Sequence, residues 1–125
     1  MFFNEHVETL DRQSMKEIQL ARLKQVIRRV YERVPFYRKK MEELGITPDD
    51  IQTLSDIQKM PFTVKNDLRD HYPYGLFAEP MENIVRLHAS SGTTGKPIVA
   101  GYTKDDLSNW AECIARLAVA AGVGK

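Results

Sequence analysis

The 125-residue sequence predicts an α/β chain: a helical amino-terminal part, then the start of a β-sheet with a helix packed on it. Three observations predict this. Apolar residues recur at helical spacing between Leu20 and Val34. From Ile84 onward that spacing gives way to runs rich in β-branched residues. A threonine–acid capping pattern at Thr103 then opens a second amphipathic helix. Residues 1–80 accordingly read as a helical region, and residues 81–125 as the start of an α/β subdomain around a connection at 90–97.

Leu20, Leu23, Ile27, Val30, Tyr31 and Val34 form one apolar stripe, flanked by Arg22, Lys24, Arg28, Arg29 and Arg33. Pro35 pushes Val34 out of helical geometry and ends or kinks this helix. A second helix is expected over Phe36–Leu44, with Gly45 as its stop. Thr47-Pro48-Asp49-Asp50 has the form of an N-cap, a first-position proline and first-turn acids. Ser55 is a candidate cap for another turn, and Thr63 for a short helix through Asp70. His71–Phe77, aromatic and containing Pro and Gly, is expected to be an ordered loop. Ile84, Val85, Leu87 and Ala89 favour one strand, and Ile98, Val99, Ala100 and Tyr102 a second. Thr103 with Asp106 has capping-box form. The helix that follows carries Leu107, Trp110, Ile114, Leu117 and Val119, and Gly122 closes it. Two strands make an unfinished sheet, so the sequence is expected to belong to a longer protein.

Composition excludes some classes. The formal charge is +1 and 42% of residues are hydrophobic, which gives no general drive toward nucleic acid or membrane. No apolar run nears the roughly 18 residues of a spanning helix. Cys113 is the one cysteine, so neither an intrachain disulfide nor a Cys/His zinc spacing exists. With no signal-peptide pattern at Met1–His6, the expected location is the cytoplasm. Charge is unevenly spread. Asp11–Lys40 holds ten Lys/Arg and three Asp/Glu, a net of +7, and the other 95 residues carry −6. The basic segment is either an interaction surface or a solvated helix face.

The connection Ser90-Ser91-Gly92-Thr93-Thr94-Gly95-Lys96-Pro97 carries the chemistry. Glycines let backbone approach a ligand closely, and successive N–H groups in such a bend can hold an anion. Ser90, Ser91, Thr93 and Thr94 add hydroxyls. Lys96 adds a point charge able to reach a phosphate oxygen. The segment is not a Walker A loop, because Ser90 stands where that motif needs glycine and Pro97 follows the lysine. Nor does it contain Gly-x-Gly-x-x-Gly. On composition alone it reads either as a phosphate holder or as a polar hairpin connection.

The same string resembles the phosphate-binding motif of adenylate-forming enzymes, the acyl-CoA synthetases and their relatives. Ile98 departs from the lysine that ends the general motif. Lysine before proline, as in Lys96-Pro97, is similar to the phenylacetate–CoA ligase branch. Met60-Pro61-Phe62-Thr63-Val64-Lys65-Asn66-Asp67-Leu68-Arg69-Asp70 resembles another segment of that branch, departing only at Met60. Tyr72–Ala78, Gly101-Tyr102-Thr103, the Trp110 helix and Val34-Pro35-Phe36-Tyr37 are also similar to it.

The resemblance implies a two-step ligation of an aryl acetate to coenzyme A, driven by ATP with Mg²⁺, through an acyl-adenylate. It implies that Ser91, Thr93 and Thr94 bind the β- and γ-phosphates, that Gly92 and Gly95 shape the loop, and that Lys96 offsets charge on the leaving pyrophosphate. The catalytic, acyl-pocket and magnesium-binding residues are then expected beyond Lys125, and no metal ligand is identified in this sequence. The expected partners are small molecules: the aryl acid, ATP and coenzyme A. A homodimer of the full-length enzyme is a further expectation.

Other residues have plainer readings. Trp110 is expected in a core and Cys113 as a small buried side chain. His88 and His71 are either structural or ligand-facing. Lys65, Asp67 and Arg69 are expected as helix-surface charges, and Asp105 and Asp106 as acids opposing a helix dipole. Three alternatives remain: a ligase for another aryl acid, another adenylating enzyme of the same branch, or a stand-alone helical interaction module that docks helix 12–34 on an acidic partner or membrane surface.

Overall fold

The computed structural model describes residues 1–90, 95 and 97–124. A single helical turn, α1 (Glu5–Glu8), precedes the long helix α2 (Arg12–Arg33). Asp11 caps α2 by accepting from the backbone N–H groups of Gln13 and Ser14 at 2.9 and 3.0 Å. The helix ends at Val34, which is extended (φ −117°, ψ 102°) because Pro35 follows. Helix α3 (Pro35–Glu43) starts at once with proline at its first position. The Arg38 guanidinium folds back across the break and donates to the Tyr31 carbonyl at 2.9 Å. That satisfies one of the last carbonyls of α2. Gly45, at φ 66°, supplies the left-handed residue that stops α3.

The expected stripe is the core. Ile27 packs with Met41 of α3 and with Ile51, and Leu23, Tyr31, Ile46 and Met60 surround them. Val34 is also fully buried. Ile51 lies between two 3-10 turns, Pro48–Asp50 and Leu54–Lys59, which wrap α2.

Two expected starts are corrected. The turn at 54–59 is capped by Thr53 rather than Ser55: Asp56 Oδ2 accepts from the Thr53 backbone at 2.6 Å and the Gln52 backbone at 2.9 Å. Ser55 lies inside the turn, and it is the Asp56 carboxylate, three residues after Thr53, that closes its start. Helix α4 spans Lys65–Asp70, not from Thr63. Asp67 accepts from the Val64 N–H at 2.8 Å. The Thr63 hydroxyl instead meets the Tyr37 hydroxyl at 2.8 Å.

The two strands β1 (Ile84–Ala89) and β2 (Val99–Thr103) pair antiparallel, with Leu87 opposite Gly101 and His88 opposite Ala100. The register slips between Ile84 and Arg86. Helix α5 (Lys104–Ala120) leaves β2 directly. It is capped by Thr103 and Asp106, each side chain bonding the other's backbone N–H, at 3.1 and 2.9 Å. Gly122, at φ 92°, follows its end.

The basic helices are tied to acids far along the chain. Arg28 pairs with Asp49 at 2.7 Å, Arg29 and Arg33 with Glu79 at 3.2 and 3.0 Å, and Lys40 with Asp67 at 3.2 Å. Asp67, only 18% exposed, is therefore a buttress between α3 and α4 rather than the free surface charge expected of it. Three of the seven cations of helix 12–34, on which the interaction-module alternative rests, are held in these pairs.

Candidate functional site

The hairpin brings the ends of the phosphate-loop candidate together. The Ser90 N–H donates to the Ile98 carbonyl at 3.0 Å. The Ile98 N–H returns to Ser90 Oγ at 3.0 Å. The two bonds close the connection between β1 and β2 at its base. Ser90 acts here as scaffold. Its hydroxyl oxygen accepts a backbone bond, while the hydroxyl proton is not used by that bond. Gly95 stands at φ 130°, a region that L side chains rarely adopt, and a Cβ there would meet nothing within 4 Å. Its glycine is needed for the bend rather than for space. Ser91, Gly92, Thr93, Thr94 and Lys96 lie outside the described residues.

The two faces of the hairpin are covered by different elements. Side chains alternate along a strand, so Tyr102 and Gly101 point to opposite sides. On one side Tyr102 stacks on Trp110 of α5, ring centroids 5.6 Å apart. His88, diagonal to Tyr102 across the strands, lies 4.9 Å from its ring and 5.9 Å from that of Trp110. His88 is thus a member of an aromatic cluster that joins sheet to helix. On the other side, Phe77 from the 71–77 loop presses on Gly101.

That loop is ordered, as expected. His71 packs edge-on against Phe36, with centroids 4.8 Å apart, and its Nδ1 lies 2.8 Å from the Asp67 carbonyl. The Tyr72–Pro73 peptide is cis. Just past the loop, Arg33 donates to the Ala78 carbonyl at 3.3 Å and pairs with Glu79. A hydrogen bond from the Asn4 amide to Glu112 at 2.9 Å ties the amino-terminal segment to α5.

Two expectations about α5 are corrected. Trp110 is 44% exposed and Leu117 66%, so the apolar stripe is not enclosed by the described residues. The helix faces only a two-stranded sheet, which is too narrow to cover it. With Arg86, its side chains Leu107, Trp110, Ala111, Ile114 and Ala118 line an open groove. Cys113 is exposed rather than buried, since much of α5 is left uncovered by the two-stranded sheet.

The Phe77–Gly101 seat and the His88–Tyr102–Trp110 cluster were not singled out from sequence. A glycine inside a run that otherwise reads as strand was the available signal for the first. Among the described residues no three His, Cys, Asp or Glu side chains gather as a metal site. Among the same residues no helix is long and apolar enough to cross a membrane.

No protein-family model matches the chain. It is 53% identical over 122 residues to phenylacetate-coenzyme A ligase of Thermus thermophilus, across 98% of this chain and 27% of that enzyme. The Escherichia coli phenylacetate-coenzyme A ligase is 52% identical over 116 residues, 93% of this chain and 26% of its own length. Among solved structures, an open conformation of 2-hydroxyisobutyryl-CoA ligase with 2-HIB-AMP and CoA superposes with a TM-score of 0.78 at 31% identity, over 92% of this chain and 27% of that one. The same ligase in its thioesterification state gives 0.76 at 34% identity, over 86% and 24%. The chain is thus homologous to phenylacetate–CoA ligases and shares the fold of part of a CoA ligase. It spans about a quarter of the length of the curated relatives it matches.

Proposed function

We propose that this chain is the phosphate-holding portion of a longer ligase that joins an aryl acetate, phenylacetate first among them, to coenzyme A. Identity of 53% to a phenylacetate–CoA ligase along nearly the whole chain is the observation that carries this reading. The division into a helical region 1–80 and an α/β portion 81–125 goes with it. So do a cytoplasmic location and a homodimer of the full-length enzyme.

The chemistry has two steps. A carboxylate oxygen of the acid attacks the α-phosphorus of ATP, the α–β P–O bond breaks, and pyrophosphate leaves. The coenzyme A thiol, losing its proton, then attacks the acyl carbon, the bond to AMP breaks, and the thioester forms. In the first step, holding the departing pyrophosphate is a matter of position and charge. Ser91, Thr93 and Thr94 offer hydroxyl donors, Gly92 and Gly95 offer backbone N–H groups, and Lys96 offers a cation. Ser90 closes the loop from below through its two bonds with Ile98. Mg²⁺ would accompany ATP, yet no ligand group for it is gathered among the described residues. The acid- and thiol-binding groups belong to the rest of the ligase.

The test is acid-dependent pyrophosphate release from ATP by the full-length enzyme, across a panel of aryl acetates and other carboxylic acids. Release with phenylacetate and related aryl acetates is expected. Lys96→Ala should lower the rate about 10²-fold, the usual effect of removing one group that stabilises developing charge. No release with any acid refutes the adenylation reading. Release only with acids lacking an aryl ring refutes the substrate assignment.

A further inference from the structure

Gly101 lies inside β2, where glycine weakens a strand and commonly marks the close approach of another group. The group is the ring of Phe77. A Cβ at Gly101 would stand 2.5 Å from Phe77 Cε2 and 2.6 Å from Cζ. Ordinary carbon–carbon contact begins near about 3.5 Å, so any side chain at 101 must separate ring and strand by about 1 Å.

The ring is poorly placed to retreat. The Phe77 N–H donates to the Tyr74 carbonyl at 3.0 Å, and the two rings lie 5.2 Å apart. The next two residues are held to α2 by Arg29 and Arg33, through the Ala78 carbonyl and the Glu79 carboxylate. On the far side of β2, Tyr102 is stacked on Trp110. Displacement at position 101 therefore falls on the hairpin.

We propose that the seat of Phe77 on Gly101 is a positioning contact. It sets the tilt of the β1–β2 hairpin against the helical region, and with it the position of Ser90 and Ile98, from which the connection between the strands is presented to the phosphates of ATP. The inference rests on the adenylation reading and adds to it a residue pair that never touches the nucleotide. Its specific consequence is a division between the two half-reactions. Adenylation needs the phosphates held. Thioester formation from a finished acyl-adenylate does not, since pyrophosphate has already left.

The experiment uses the full-length ligase and measures both halves: ATP–pyrophosphate exchange in the presence of aryl acetate, and thioester formation from synthetic acyl-adenylate and coenzyme A. Gly101→Ala should slow exchange about 10- to 100-fold, the scale on which a 1 Å misplacement acts, and leave the second half-reaction within about twofold. Adding Phe77→Leu, which removes the ring from the path of the new methyl, should restore at least about tenfold of the loss. Wild-type enzyme without exchange refutes the adenylation reading and this inference together. Wild-type exchange with an unaffected Gly101→Ala variant overturns the inference alone. Equal loss of both half-reactions, or no recovery in the double variant, also overturns it, since the contact would then serve general stability.

Discussion

Replacing Ile27 with alanine tests whether the core sits where the helical stripe puts it. Ile27 is 3% exposed and packs on Met41 and Ile51, with Leu23, Tyr31, Ile46 and Met60 around them. Truncation removes three buried carbons, worth about 2.4 kcal/mol at about 0.8 kcal/mol each. The vacated space adds to this, although the partly buried Leu23, Tyr31 and Met60 can close in on it. The higher helix propensity of alanine returns a few tenths of a kcal/mol. The net expectation is a loss of about 3 kcal/mol, inside the range of about 2–5 for such substitutions. For a domain stable by about 5–15 kcal/mol that is a large share. In urea, with a slope of about 1–3 kcal/mol/M, the midpoint should fall by about 1–3 M. The adjacent Val26, 52% exposed, is the control. Val26→Ala should change stability by no more than about 0.5 kcal/mol. Equal shifts for the two variants would refute the assignment of the buried face.

Two further outcomes concern local structure. Asp56 is held well below its ordinary value of 3.8, first by the Lys59 ammonium and then by the Thr53 and Gln52 N–H groups. Asp50 and Asp67 are lowered chiefly by the Thr47 and Val64 N–H groups. Depressed carboxylates stabilise the fold above their unfolded value and lose that contribution as pH falls through the folded one. The melting temperature should therefore stay level from about pH 7 to about pH 5 and drop below about pH 4. Asp56→Asn should make the acid limb shallower, and an unchanged limb in circular-dichroism melts would contradict the assigned partners. Thr103→Ala removes the acceptor for the Asp106 N–H and should cost about 1 kcal/mol by chemical denaturation, with fraying of the first turn of α5. A loss no greater than at an exposed mid-helix position would contradict the cap.

Most helices were legible because their signals are local. The stripe from Leu20 to Val34, the proline at 35 and the glycine at 45 depend on neighbours within one or two turns, and each appears where those rules place it. The strands were legible from their β-branched residues. Caps were less so where two hydroxyl residues stand close together: Thr53 has Asp56 three residues on and Ser55 has Gln58, and both have capping-box form. Least legible were contacts across long sequence distances. Nothing local to Asp67 points to Lys40, and nothing local to Gly101 points to Phe77. The expected burial of Trp110 failed for a related reason. An apolar stripe states that a face seeks cover, while the area supplying cover is set by the number of strands beneath it. At the loop itself, Gly95 has the backbone freedom expected of it, and Ser90 closes the hairpin, a role that its place in the motif does not show.

The ion pairs along the basic helices also bear on how the chain is made. Arg28 waits for Asp49, Lys40 for Asp67, and Arg29 and Arg33 for Glu79. Synthesis runs from the amino terminus, so the +7 segment 11–40 is made before Asp49, Asp67 and Glu79, the acids that pair with it. In that interval the segment's excess positive charge favours contact with phosphates such as those of ribosomal RNA. Glu79 then supplies one carboxylate to two of the arginines, Arg29 and Arg33. The order of residues along the chain thus sets when each cation of the basic helices gains its partner.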